Sequence, residues 1–515
     1  MSAIAGSAET VPDDTMVPHK ALITICIMLA TVMQVLDTTI ANVALPSMQG
    51  SLGAAQDQIN WVLTSYIVAA AIMTPVTGWL SARIGLRQLF ILSVVGFVVT
   101  SMLCGIATSL DEMILFRIFQ GLFGAALAPL SQTVLLDINP KEKHGQAMAI
   151  WGAGIMVGPI IGPTLGGWLT ETFNWRYVFF VNLPVGVLAF AGMVLFLPKT
   201  PAKPRGFDFF GFAMLSLAIG ALQMMLDRGQ EQDWFQSTEI WIELGLAISG
   251  FWVFAIHIFT AKAPFIDPHI FRDTNFVTAL VLIFMLGAIL LAGLALLPPL
   301  LQNILGYPVI TTGVVLAPRG VGTMASMVLV GRLVGKVDVR LLIFTGLGLT
   351  AYSLYMMTGF TIMMSDMPII LSGVVQGLGL GLVFVPLSTL AFATLAPEER
   401  TEAAALFSLL RNIGSSVGIS IVSTELLWNV AINRTEMVSK LTAANPNLDI
   451  MAQIGLDQTT ALSTLVSQVV SQATMIAYVD DFKLMMLVTL AIIPLLLFMR
   501  KPKKAGGQGP SVAMD

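Results

Sequence analysis

Fourteen stretches of about twenty mainly apolar residues follow one another along this chain of 515 residues. A helix of that length crosses the roughly 30 Å hydrocarbon core of a bilayer. Each run is therefore read as a transmembrane span: 21–45, 59–82, 88–107, 112–136, 145–168, 175–197, 208–226, 239–260, 275–301, 309–334, 340–361, 366–393, 402–424 and 482–500. Composition agrees. Only 11% of residues are charged and 56% are hydrophobic, against roughly 25% charged in a soluble domain, so the chain lacks the charge to coat a water-facing surface. The first run follows Asp13 and Asp14 rather than a basic segment and is too long for the core of a signal peptide, so it reads as an uncleaved first span.

Lys and Arg placement sets the orientation. With the N-terminus in the cytoplasm and the spans alternating, eighteen basic residues fall on the cytoplasmic side and five outside, while Arg117, Arg319 and Arg411 fall within spans. Both termini are expected in the cytoplasm.

Several function classes drop out. The net charge of −4 is spread along the chain with no tail suited to nucleic acid. Cys26 and Cys104 sit in apolar runs and read as small apolar filler. Gly335-Lys336 is followed by Val337 and lacks the earlier glycine of a phosphate-binding loop, and no nucleophile–base or metal-ligand pattern stands out. The reading is not an enzyme but a secondary transporter that needs no cofactor, only an ion gradient.

The chain also echoes itself. Gly78-Trp79-Leu80-Ser81-Ala82-Arg83-Ile84-Gly85-Leu86-Arg87 follows the second run, and Gly331-Arg332-Leu333-Val334-Gly335-Lys336-Val337-Asp338-Val339-Arg340 follows the tenth. Each links the second and third helices of a six-helix unit if runs seven and eight are an inserted pair. Two repeated halves are a common transporter plan. The expected fold is all-α and integral to the membrane. It comprises a cytoplasmic tail (1–20), a six-helix bundle (21–197), the inserted pair (198–260), a second bundle (261–500) with an outer loop at 425–481, and a tail (501–515).

The fifth run carries Gly154, Gly158-Pro159, Gly162-Pro163 and Gly166-Gly167. This resembles the Gly-Pro signature of drug antiporters in the major facilitator superfamily. Leu36-Asp37-Thr38-Thr39-Ile40-Ala41-Asn42, Arg117-Ile118-Phe119-Gln120-Gly121, the stretch from Trp175 to Pro184 and Leu226-Asp227-Arg228-Gly229 resemble motifs of its fourteen-helix branch. Over nearly the whole chain the sequence is similar to drug:proton antiporters of the EmrB/QacA group. The resemblance implies proton-coupled multidrug efflux, a bacterial inner membrane, and partnership with a periplasmic adaptor and an outer-membrane channel. A nutrient or metabolite carrier on the same fold is the alternative; the Gly-Pro motif argues against it. One departure stands out: Ala82 replaces the acidic residue usual in the loop motif, which puts a salt-bridge gate in that loop in doubt.

Asp37 is the sharpest candidate for proton coupling. It lies about nine residues from the outer end of its run, about 13 Å deep. A carboxylate inside a membrane helix costs about 2.5–3.5 kcal/mol on insertion scales, so it is expected to face a cavity or a partner. Gln34, Asp37, Thr38 and Asn42 share a polar stripe about 140° wide at 100° per residue. Either a proton and a substrate compete there, or Asp37 is a structural acid. Arg117 is expected to tune Asp37 or else to snorkel to the outer interface; Gly121, Gly124 and Ala128 continue its face and permit a close neighbour. Gln34, Thr38, Asn42, Gln120, Arg319, Arg411 and Asn412 are the expected substrate cavity. The two arginines stand in a half where no acid is expected at their depth, which favours anionic or weakly acidic amphiphiles. Gly78, Arg83, Gly85, Arg87, Gly154, Gly158, Pro159, Gly162, Pro163, Gly166 and Gly167 are expected to govern conformation, the span-five ridge by sealing or pivoting the two halves. Leu462, Leu465, Val466, Val469, Ala473 and Ile476 predict an amphipathic helix inside the outer loop.

Overall fold

The structure is a computed structural model and describes residues 18–55, 58–202, 206–262, 264–439 and 458–499. Nearly all of the expected first tail, and the whole of the last, lie outside the described residues. Among these residues fourteen helices are long and apolar enough to span a membrane. In order they are Lys20–Leu52, Trp61–Ile84, Leu86–Ile106, Leu110–Asp137, Lys141–Thr172, Tyr177–Phe196, Phe209–Arg228, Thr238–Thr260, Thr274–Ile304, Ile310–Leu333, Val339–Met357, Asp366–Ala393, Pro397–Ser439 and Ser463–Phe498, called spans one to fourteen below.

Side-chain caps start several of them by satisfying amide donors the first turn leaves unpaired. Ser109 accepts from Glu112 N, Asp208 from Gly211 N, Ser237 from Glu239 N, and Asp273 from Asn275 N and Phe276 N. Prolines mark the bends. Span two tightens to a 3-10 turn at Thr74-Pro75-Val76, span five breaks at Met156 just before Pro159, and Pro298-Pro299 lead span nine into a π-helical turn over Leu300–Ile304.

The packing order shows the repeat. Span one packs on spans five and six, span two on four, and span three on four and six. Adding eight to each number gives the second bundle: nine packs on thirteen and fourteen, ten on twelve, and eleven on twelve and fourteen. Spans seven and eight pack on each other, and seven also touches two and thirteen. Gln223 Nε2 reaches Ser416 Oγ at 2.8 Å and Ser420 Oγ donates to Leu226 O at 3.1 Å, fixing the inserted pair to the second bundle. The outer faces are apolar, as lipid requires; Phe209, Trp252 and Phe259 are exposed on the pair.

The bundles meet on the side where the chain enters span one. A Cβ on Gly78 would lie 3.0 Å from Glu402 Cα, and one on Gly331 would lie 2.6 Å from Ala149 Cβ. Span two thus seats on thirteen as span ten seats on five. Arg400 Nη1 pairs with Asp137 Oδ1 at 2.8 Å across the same seam. The two echoing turns share a backbone: Gly85 and Gly335 both have φ +90°, a conformation that favours glycine.

Three expectations need correction. The region 425–481 is not a loop over its described parts, because span thirteen runs on to Ser439 and the last helix begins at Gln458. Polar residues do not end a helix whose backbone bonds are internal and whose length lies beyond the hydrocarbon. Residues 440–457 lie outside the described residues. The predicted amphipathic segment is the start of the last helix itself, with Leu465 and Ala473 buried. Span one likewise continues through Pro46 to Leu52, so Asp37 lies mid-helix, about 22 Å from its far end rather than about 13 Å. The glycine ridge of span five does not seal the halves. Gly158 and Gly166 press on Val35 and Ile40 of span one, and Gly154 and Gly162 face Met28 and Thr39 there. The opposite face, at Ile160 and Thr164, is the one that meets span ten at Gly320 and Gly313.

Candidate functional site

Asp37, from mid-span one, sits fully buried at the centre of the first bundle. Its Oδ2 pairs with Arg117 Nη1 of span four at 2.6 Å. Its Oδ1 accepts from Gln120 Nε2 and from Asn182 Nδ2 of span six, each at 2.8 Å. Three donors, one of them cationic, suit the ionised carboxylate. Arg117 is equally held: Nε donates to Val62 O at 2.9 Å, Nη1 also reaches Gln120 Oε1 at 2.8 Å, and the guanidinium lies 4.3 Å from the Tyr66 ring centroid. Asn182 extends the network to Ser101 Oγ at 2.9 Å, and Ser101 donates to Phe179 O.

This geometry requires close helices. A Cβ on Gly121 would stand 2.5 Å from Tyr66 O, and one on Gly124 2.9 Å from the Tyr66 hydroxyl. Only glycine lets span two approach near enough for Val62 and Tyr66 to take the guanidinium.

The arrangement sorts the expected residues. Arg117 does not snorkel; it is 0% exposed because its partners lie inward. Gln120 is also 0% exposed and belongs to the ion-pair network, not to a cavity wall. Asn42 is exposed and Thr38 returns its hydroxyl to Val35 O of its own helix, so the polar stripe splits, with Asp37 and the half-buried Gln34, which reaches Tyr66, turned into the bundle. Arg411 and Asn412 are half-buried neighbours, Nη2 to Oδ1 at 3.4 Å. Arg319 is not on a cavity wall: it is 5% exposed, with Nη2 donating to Leu290 O at 3.2 Å. Asn182, Ser101 and Tyr66 were missed as site residues. Only Asn182 carried a signal, lying within the Trp175–Pro184 motif; neutral polar residues on apolar helices otherwise look like packing.

In the loop motif Arg87 Nη2 donates to Val194 O at 2.6 Å and Arg83 lies 5.7 Å from the Trp79 ring. One ion pair across the seam, Arg400–Asp137, lies outside that motif.

The second bundle holds a partial copy of the site. Gly377 meets Arg319 O as Gly121 meets Tyr66 O. The same step of 253 residues carries Tyr66 to Arg319, Gly78 to Gly331 and Asp37 to Leu290. Gln120-Gly121 corresponds to Gln376-Gly377, and Arg117 to Gly373, where an added Cβ would lie 3.4 Å from the Arg319 Cβ. The guanidinium has thus moved from the fourth helix of the unit to the second, and a leucine carbonyl stands where the first bundle has its carboxylate.

Residues 27–419 match the model of the Major Facilitator Superfamily. The chain belongs to this superfamily. The multidrug export protein EmrB of Haemophilus influenzae is 36% identical over 490 residues, covering 93% of this chain and 96% of that one. The fatty acid resistance protein FarB of Neisseria gonorrhoeae is 35% identical over 498 residues, covering 95% and 98%. Among solved structures, the human organic anion transporter MFSD10 superposes with a TM-score of 0.59 at 14% identity, covering 92% of this chain and all of that one, and so shares the major facilitator fold. Two six-helix bundles with an inserted pair are therefore the architecture of this superfamily member.

Proposed function

We propose that this protein exports hydrophobic amphiphiles from the cell in exchange for protons, by alternating access, as a multidrug efflux transporter rather than an enzyme. The observation that carries the reading is the buried Asp37–Arg117 pair, a charged group placed where a bilayer protein rarely has one without a task. Relatives named as multidrug export and fatty acid resistance proteins support it.

Asp37 with its three donors is the proton-free state. Protonation removes the charge that holds Arg117, Gln120 and Asn182, loosening spans one, four and six against each other. The two bundles then rock about the seats of span two on thirteen and ten on five, and breaking Arg400–Asp137 opens the side closed here. Half-buried Arg411 and Asn412 supply a positive, hydrogen-bonding wall suited to weakly acidic amphiphiles among the substrates. The excess of basic residues on the side of span one's entry supports both termini in the cytoplasm of a bacterial inner membrane, and the repeat supports a division at 21–197, 198–260 and 261–500. The long helices beyond the far membrane face offer a surface for a periplasmic adaptor leading to an outer-membrane channel. The proton gradient is the only energy source, with no cofactor.

Inverted vesicles carrying the protein test the reading. Under an imposed proton gradient, uptake of amphiphilic dyes should exceed that of empty vesicles by about tenfold and collapse with an uncoupler. Uptake indifferent to the gradient would refute antiport. Asp37→Asn should abolish the gradient-dependent part; if it does not, Asp37 is structural.

A further inference from the structure

Asp481 stands at the middle of span fourteen, 0% exposed, and neither carboxyl oxygen has a hydrogen-bond partner among the described residues. It was not foreseen, because it borders the expected loop. The contrast with Asp37 is sharp: one buried carboxyl has three donors and the other none.

The surroundings of Asp481 are unfavourable to charge. Asn433 Nδ2 meets Ala473 O across the antiparallel pair of spans thirteen and fourteen; eight residues further along each helix, Glu425 lies opposite Asp481. The charges acting on Asp481 are Glu425 and Asp480, both acidic and half-buried. On its own helix the other titratable neighbours are Tyr478 and Lys483, and Lys483 is exposed. Span nine has no ionisable residue between Thr274 and Ile304. On span eleven Arg340 is bonded to Met499 O at the opposite end, and Tyr352 and Tyr355 face outward. A buried carboxylate beside two acids and without a donor is stable only when neutral.

One buried cation lies further along the same crevice. The Arg319 guanidinium stands 3.6 Å, and Met485 Cε 3.7 Å, from where a Cβ of Gly293 would sit. Met485 is one helical turn, about 6 Å, from Asp481 on the same face. Arg319 Nη1 is itself buried without a partner among the described residues. A step of 303 residues carries Phe179 to Phe482 and Asn182 to Met485, so this crevice is the counterpart of the one that holds the Asp37–Arg117 pair.

The geometry points to Asp481 as a second proton-carrying residue, protonated in this conformation and discharged when span fourteen shifts by about one turn against span nine and brings it to Arg319. The proton leaves the Asp481 carboxyl for water as the carboxylate forms its ion pair. This deepens the antiport reading by adding a proton site in the second bundle, and rests on that reading only for its transport consequence.

Infrared spectra of the full-length protein in liposomes at neutral pH test the first part without any substrate. Wild type should show the C=O stretch of a buried protonated carboxylic acid, shifted in D2O. Asp481→Asn should remove that band and Asp481→Glu should move it. An unchanged band in Asp481→Asn, or no such band in wild type, overturns the proposal. If Asp481→Asn fails to insert, the shift in Asp481→Glu decides alone. For the discharge step, Arg319→Gln should keep the band yet cut gradient-driven dye uptake at least tenfold; wild-type uptake in Arg319→Gln removes Arg319 from the scheme. Absence of uptake in wild type would instead count against antiport, leaving the infrared result to decide the state of Asp481.

Discussion

Asp37 and Arg117 have no exposure to solvent, so neither tolerates losing the other. Removing one member of a buried pair leaves an uncompensated charge, which costs about 3–5 kcal/mol. Arg117→Ala should therefore lower the melting temperature of the detergent-purified protein markedly, and Asp37→Asn with Arg117→Gln together should recover part of it. A double variant no more stable than Arg117→Ala would show that the pair is not coupled. Asn182 differs: its amide bridges Asp37 and Ser101. Asn182→Leu should leave insertion intact but weaken gradient-dependent uptake by about tenfold, since one donor to the charged carboxylate is worth about 1.5–3 kcal/mol.

At the scale of helices, glycine sets the distances. Span two approaches span four across Gly121, and span one approaches span five across Gly158, where a Cβ would lie 2.6 Å from Val35 Cγ1. Gly121→Leu should push span two off Arg117, take away the Val62 carbonyl and abolish transport, while Gly167→Ala, where no atom lies within 4 Å, should be silent in the same uptake assay. Equal damage from both would mean that helix propensity, not close approach, matters there. The motif was legible in the sequence as glycines every fourth residue. Which neighbour they admit was not, since spacing fixes a face of a helix but not what meets it; the ridge serves span one rather than the seam.

For the whole molecule, the question is which side is open. Arg400 is 6% exposed and binds Asp137 across the seam. Asp137→Arg should open that side and make a cysteine placed at Ala149, buried against Gly331, label faster with a membrane-impermeant thiol reagent in inverted vesicles, in a background free of Cys26 and Cys104. Adding Arg400→Asp should restore the pair and slow the labelling again. Labelling that ignores both changes would show that apolar seating, not this ion pair, keeps the side shut.

The number of spans, their order, the repeat and the presence of Asp37 and Arg117 as charges inside spans were all determined by the sequence, because lipid imposes a length and a polarity on every crossing segment. The echoing turns at Gly85 and Gly335 were visible too, since their glycines mark a backbone few other residues adopt. Only the tertiary structure decided partners. It drew Gln120 and Asn182 to Asp37, buried Arg319, turned the glycine ridge toward span one, and put Asp481 in a crevice without a donor among the described residues. It also carried the last two long helices beyond the membrane, where hydropathy no longer reports helix ends. Hydropathy is a property of one segment against its solvent; a hydrogen bond between spans depends on how two helices rotate and approach, and that is settled only when the bundle packs.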